Sequence, residues 1–493
     1  MPQDRTVRNA LLTVAGLALL AIVLYLVQEQ GGTKLQQVFA LFAIWGTAAV
    51  SLNLINGTTG ILSLGHHGFM LLGGYTTALL ILPELNRERI ATSARSLMNE
   101  FTLSLSVENW ASKLGLEALA APEALWLRFI VAMFIGGLVA AAFGLLVGIP
   151  SLRLRGDYLA IVTFGFGEII RLLASTDMLS SFTNGSLGYT GVPGLVGKSL
   201  WWTFGVLAIT VFFMSRLKFS SYGRALQGIR EDEVAAQAMG INLAYNKVLA
   251  FTLSAFFAGV AGGLYVSWLS SARLDSFLFF LTFYFLVAVS VGGTGSVTGT
   301  LMGTALVVFV LQYGDPLEQT YPLTTWVFAG GVLLALAALG TFVYRGTLRL
   351  RPRLNAAVYL LAALALLTVI VSYVGPSFDW LQGDFRAFGL RRIFLAVLLI
   401  VIMVFRPSGV LGRAEFSWAW LLRERRDEPT DEERAQDDWM HKAAAPVGGD
   451  EPRAAAHPLL ELGAKDEDNG AGGEIDARSN RAGRTQSDEG RET

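Results

Sequence analysis

The stretch SYGRALQGIREDEVAAQAMGINLAYNK, residues 221–247, sets three consecutive acids beside arginines between apolar runs near 199–217 and 246–268. It reads as a compact, charged, alanine-rich helix of about 223–243, lying outside the bilayer while the neighbouring segments avoid charge. Glu231, Asp232 and Glu233 fall in what would be the first turn, where they complement the positive end of the helix dipole. Ala235, Ala236 and Ala238 are strong helix formers. Gly240 is placed for a left-handed C-terminal cap.

The rest of the chain supplies the membrane. Hydrophobic residues make up 53% of the 493 and charged residues only 16%, more apolar surface than a soluble domain can hide. A hydrocarbon core about 30 Å thick takes about 20 apolar residues per helix. Runs of that order recur near 10–27, 38–56, 61–82, 127–149, 157–174, 199–217, 246–268, 277–293, 297–313, 323–344, 354–374 and 389–405. The fold class is therefore an all-α polytopic membrane protein of about 10–12 transmembrane helices, some broken by glycine. The first run lacks a small-residue cleavage site and reads as an uncleaved anchor. Short-loop arginines and lysines (Arg153, Arg155, Arg216, Lys218, Arg224, Arg230) all fall on one side if the N-terminus is cytoplasmic. Both termini and the charged interruption then face the cytoplasm. The absence of cysteine excludes disulfides, thiolate metal sites and cysteine nucleophiles.

Four ordered stretches carry a resemblance: SLNLINGTTGILSLGHHGFMLLGGYTTALL (51–80), RLRGDYLAIVTFGFGEIIRLL (153–173), the charged stretch with the span after it, and the closing FRPSGVLG (405–412). A Gly-rich VGGTGSVTGTLMG (291–303) matches more loosely. Together they resemble the LivM-type permeases, membrane subunits of bacterial ABC importers for branched-chain amino acids. The resemblance implies a permease core over 38–313, with an external connection at 83–126, between an anchor with its external connection (1–37) and an added span pair outside the family core (314–388). A final span (389–412) and a cytoplasmic tail (413–493) follow. The tail is too charged and too poor in large apolar groups to order itself.

By the same resemblance the charged helix is the coupling helix that docks on an ATPase, through Arg230, Glu231, Asp232, Glu233, Ala235, Ala236 and Gly240. Val234 stands where the wider importer pattern has Glu. The implied partners are two ABC ATPase subunits, a homologous second permease, an external substrate-binding protein and the lipid bilayer, with no nucleic acid. The implied setting is the bacterial inner membrane, and the implied cargo is leucine, isoleucine or valine. Similar permeases serve urea, short amides or other amino acids. No cofactor or metal is implied.

The chain carries no nucleotide site of its own. GVPGLVGKS (191–199) has Val192 where a phosphate loop requires Gly, so hydrolysis falls to a separate subunit. Candidates for a translocation path are the glycines and polar groups at apparent helix breaks: Asn56, Gly60, Ser63, Gly65, His66, Gly293 and Gly295. The bland alternative for these is turn chemistry and close packing. Glu168 and Arg171, three apart in an apolar run, either grip a solute's charges or pair to lock helices. His66 and His67 are adjacent and so diverge by about 100° on a helix, which disfavours chelation. An ion-coupled secondary transporter, and an enzyme using His66, His67 or Asp157 as base, are the rival classes.

Overall fold

A computed structural model of the chain describes residues 2–83, 86–87, 102, 104–115, 124–151, 157–194, 199–314, 321–322, 384–385, 390–405, 409–412 and 415. In chain order the helices are α1 (Pro2–Gln30), α2 (Thr33–Asn53) running into a π-turn (Leu54–Thr59), α3 (His66–Ile81), α4 (Val107–Lys113), α5 (Leu125–Ser151), α6 (Asp157–Ser175), α7 (Asp177–Thr183), α8 (Leu200–Phe219), α9 (Ser221–Glu231), α10 (Glu233–Ala238), α11 (Leu243–Leu269), α12 (Phe280–Gly292), α13 (Val297–Tyr313) and α14 (Leu390–Phe405). Four two-residue strands form two antiparallel pairs: β1 (Tyr189–Thr190) with β2 (Ser271–Ala272), and β3 (Tyr321–Pro322) with β4 (Asp384–Phe385). Seven helices among the described residues are long and apolar enough to cross a membrane. Of the twelve apolar runs, ten emerge as helices; 323–344 and 354–374 lie outside the described residues, as do most of the 83–126 connection and nearly all of 413–493.

The core is a three-helix seam of α3, α5 and α11, built on glycine. A Cβ on Gly73 would stand 2.3 Å from the Cα of Gly259, one on Gly136 would stand 2.6 Å from the Gly73 carbonyl, and one on Gly259 would meet the Ala140 Cβ at 2.5 Å. Lipid tails are as apolar as leucine, so membrane helices gain most from backbone proximity and interlocking, which small residues permit. Thr77 adds a polar stitch: its hydroxyl donates to the Gly73 carbonyl at 2.7 Å, one turn below.

The two ends of the bundle differ. At one, β1 and β2 pair Tyr189 with Ala272, and the Tyr189 hydroxyl donates to the Phe182 carbonyl. Burial pushes this phenol well above its ordinary range. Asn86 Nδ2 donates to the Gly191 carbonyl at 2.8 Å, closing the same cap. At the other end stand α9 and α10. The sequence predicts one helix here, opened by three acids. Instead there are two: Asp232 is extended (φ −155°, ψ 114°), Glu231 closes α9, and only Glu233 begins α10. The carboxylate of Asp232 is one bond shorter than that of Glu231 and suits an N-cap. It accepts the amides of Val234 and Ala235 at 2.8 and 3.1 Å.

Two breaks interrupt the spans on this second side. Residues 60–65 separate the α2 π-turn from α3, and residues 293–296 separate α12 from α13. With 13 residues, α12 itself reaches about 20 Å at 1.5 Å per residue, and the 3-10 turn Leu274–Phe277 before it completes the spanning segment Leu274–Gly292. His66, at the start of α3, lies beside Ser254, about 16 Å along α11 from its first residue. Irregular backbone at this depth survives only where other protein groups satisfy it.

Candidate functional site

The projecting knob of α9 and α10 is held from beneath. Ser220 is extended, and its hydroxyl accepts the Gly223 amide at 3.2 Å, opening α9. Gly223, Leu226 and Ile229, spaced three apart, form the buried face. Leu226 joins Val50, Leu54, Met214, Ala250, Phe257 and Val297 in one apolar cluster. Glu233 pairs with Lys247 of α11 at 2.6 Å, fixing α10 to the following span. At the far end Gly240 takes φ 82°, with its amide on the Gln237 carbonyl (3.0 Å) and the Ile241 amide on the Ala236 carbonyl (3.1 Å). That is a Schellman cap, and the sequence signal for it is sound.

The outward surface of the knob carries two large apolar groups among its polar ones. Val234 and Met239 are 77% and 83% exposed, with Ala235 beside them, while Ala236 is buried. Large apolar groups standing free above a charged loop suit a protein contact. Asp232 and Glu233, expected from sequence at that contact, are exposed and also cap and brace the knob. Arg230 turns away from it altogether.

Arg230 reaches into the membrane side and joins the two breaks. Its guanidinium donates to the Gly57 carbonyl, to the Thr294 carbonyl at 3.4 Å and to the Thr294 hydroxyl at 3.4 Å. The breaks also bond directly: Asn53 Nδ2 donates to the Ser296 carbonyl at 3.0 Å, and Asn53 Oδ1 accepts the Gly295 amide at 2.8 Å. Backbones approach so closely that a Cβ on Gly57 would stand 2.4 Å from the Gly295 nitrogen, and one on Gly60 would meet the Arg230 Cγ at 2.7 Å. Gly60 (φ 75°) and Gly295 (φ 96°) both use conformations that side chains disfavour. A hollow of about 90 Å³ remains there, bordered by Gly57, Thr58, Lys218, Gln227, Arg230 and Gly295.

The candidate path residues fall into two groups. Gly60 and Gly295 belong to the Arg230 junction, while Gly293, in the same break, packs against Gly412. Asn56 and Ser63 clasp each other across the first break, with the Ser63 amide donating to Asn56 Oδ1 at 3.0 Å. Gly65 packs on α6, where a Cβ would stand 2.4 Å from the Thr163 carbonyl. Beyond the break lies the second group. His66 is completely buried, its Nε2 3.1 Å from the Ser51 hydroxyl and 3.3 Å from that of Ser254. His67 points elsewhere, with Nδ1 3.0 Å from the Thr282 hydroxyl and Nε2 3.5 Å from Glu168. Glu168 in turn pairs with Arg171 at 2.8 Å, each about one-fifth exposed. Among the described residues no group of three His, Asp or Glu is placed to hold a metal. Ser63 Oγ and His66 Nδ1 are buried without a hydrogen-bond partner among the described residues. Asn53, which bonds the two breaks, carries no mark in the sequence beyond its place four residues ahead of Gly57.

A family described as branched-chain amino acid transport system / permease component matches residues 34–337, more than half of the chain. The chain belongs to this family. It is 31% identical, over 335 residues, to the high-affinity branched-chain amino acid transport system permease protein LivM of Escherichia coli (strain K12), covering 62% of this chain and 68% of that one. It is 26% identical over 289 residues to the probable branched-chain amino acid transport permease protein LivM of Methanocaldococcus jannaschii, covering 55% and 78%. The ribose import permease protein RbsC of Escherichia coli (strain K12) is 26% identical over 205 residues, covering 37% and 62%. No solved structure matches. The LivM-like chain is thus a multi-pass membrane protein and the permease component of a binding-protein-dependent ABC importer, not itself an enzyme.

Proposed function

We propose that this permease carries leucine, isoleucine and valine into the cytoplasm, driven by ATP hydrolysis on partner subunits that dock on the α9–α10 knob. The observation that carries the reading is the pairing of an exposed apolar tip (Val234, Met239) with an inward Arg230 that holds both helix breaks. Docking above and a junction below make one rigid path from motor to membrane. The knob end is then cytoplasmic, and the β1–β2 end faces the binding protein. Force on the knob moves Arg230, and the two breaks open or close together. The His67–Glu168–Arg171 chain presents a carboxylate and a guanidinium to a passing amino acid's ammonium and carboxylate. Ser63 and His66 offer further polar atoms along the way. The partners are two ATPases, a second, homologous permease and an external binding protein.

Deleting 231–239, or the pair Val234→Asp with Met239→Asp, tests the reading in the assembled transporter. The expected result is membrane insertion as before, no ATPase on co-purification, and no leucine uptake. Normal uptake by either variant would refute the assignment. The match to a ribose permease favours keeping a second reading, in which the cargo is another small solute. Competition of leucine uptake by valine, isoleucine, urea and ribose separates the two.

A further inference from the structure

The closing motif FRPSGVLG has no part in the proposed mechanism, yet its described residues 409–412, and Glu415, lie on the α12–α13 break. The Val410 amide donates to the Val291 carbonyl at 2.9 Å and the Leu411 amide to the Gly292 carbonyl at 3.1 Å. Contact is at backbone distance: a Cβ on Gly409 would stand 2.5 Å from the Gly293 Cα, and one on Gly293 would stand 2.5 Å from the Gly412 carbonyl. Gly409 (φ 80°) and Gly412 (φ 59°) are left-handed, which accounts for both glycines of the motif.

This strap ends on Glu415. One carboxylate oxygen accepts the Val297 amide at 2.9 Å and the Lys218 ammonium at 2.5 Å. The other accepts the Thr298 amide at 3.0 Å, the Thr298 hydroxyl at 2.8 Å and the Ser296 hydroxyl at 3.3 Å. Burial by itself raises the pKa of this carboxyl, but Lys218, the Thr298 and Val297 amides and the Thr298 hydroxyl outweigh it and hold the group below its ordinary value. The partners matter more than their number. Lys218 sits in the last turn of α8, immediately before the knob, and Val297 and Thr298 are the first residues of α13. A single side chain from a third element therefore ties the root of the knob to the inner end of a span.

We propose that Glu415 is a positioning residue for coupling, transmitting movement of the knob through Lys218 to α13 and the break before it. The inference rests on the knob's being the ATPase dock. Arg230 grips the break from one side, and Glu415 grips the helix that leaves it. Without Glu415 the knob still docks and the ATPase still runs, but its motion reaches the membrane through one link instead of two.

The test uses the complete transporter in proteoliposomes, with ATPase co-purification, binding-protein-stimulated ATP hydrolysis and solute uptake measured together. The variants are Glu415→Gln, Lys218→Met and Lys218→Arg. The first two are expected to keep the ATPase bound and hydrolysing while solute moved per ATP falls roughly fivefold or more, the lower range of a typical coupling energy. Lys218→Arg, which keeps the ion pair, restores the ratio. Lys218→Met leaves the amide contacts of α13 in place, so a wild-type ratio in that variant reduces Glu415 to a helix cap and overturns the proposal. Parallel loss of hydrolysis and uptake in both variants does the same. Failure of the unmodified chain to retain an ATPase would instead sink the docking assignment.

Discussion

Arg230 shows how a single side chain is legible in type but not in direction. Its place in the charged stretch suggested a surface contact, because the sequence shows charge beside charge and gives no direction. The structure turns it through the helix to Gly57 and Thr294, 173 and 64 residues distant, and such pairings leave no local signal. Glu168 and Arg171 were easier, since a spacing of three on a helix brings them together. His66 and His67 diverge as adjacency dictates, yet their separate partners, Ser51 and Ser254 against Thr282 and Glu168, come from other helices. The Arg230 junction makes a sharp demand on chemistry. Lysine has one ammonium where the guanidinium spans two carbonyls. Arg230→Lys is expected to keep the ATPase bound but to lower uptake about tenfold, the effect of losing roughly 1.4 kcal/mol from charged hydrogen bonds worth ~1.5–3. Uptake per ATP in proteoliposomes checks it.

Among elements, the glycines advertised their positions well. Gly60, Gly293 and Gly295 do mark interruptions, and Gly240 does end a helix with positive φ. The break at Asp232 was not legible, because a run of three acids fits a first helical turn as well as a cap. In the structure Asp232 is the extended cap of α10, and Glu233 pairs with Lys247 of α11. Gly240 has open space where a Cβ would point, so a substitution there meets only backbone strain. Gly240→Ala is expected to cost about 1 kcal/mol, with faster hydrogen exchange at the Ile241 amide and through α10. Exchange equal to the unmodified chain would mean that the cap does not hold the helix.

For the molecule as a whole, composition alone points to a bundle of membrane helices; ten of the twelve apolar runs fall on helices, and seven helices among the described residues are long and apolar enough to cross a membrane. Which helices touch was not readable, because every apolar run looks alike in lipid. The α3–α5–α11 seam depends on Gly73, Gly136 and Gly259 meeting face to face, a property of three distant segments jointly. Gly259→Leu would drive a side chain into the Gly136 carbonyl and the Gly137 Cα, each 3.1 Å from the position of a Cβ. Overpacking of this kind costs about 1–3 kcal/mol or more, and here the obstacle is backbone. The variant is expected to aggregate on detergent extraction, seen as loss of the monodisperse peak in size-exclusion chromatography.

The β1–β2 pair has a mechanical meaning. It joins the segment leading into α8 to the segment leaving α11, at the end opposite the knob. A pull on the knob meets two long rods already clasped at their far tips. They cannot splay there, so the clasp serves as a fulcrum and the displacement becomes tilt. With a lever arm of about 40 Å for the 27 residues of α11, a 3 Å tug swings the pair by only about 4°. Most of the travel is then delivered near the knob end, where the gaps in the helices lie.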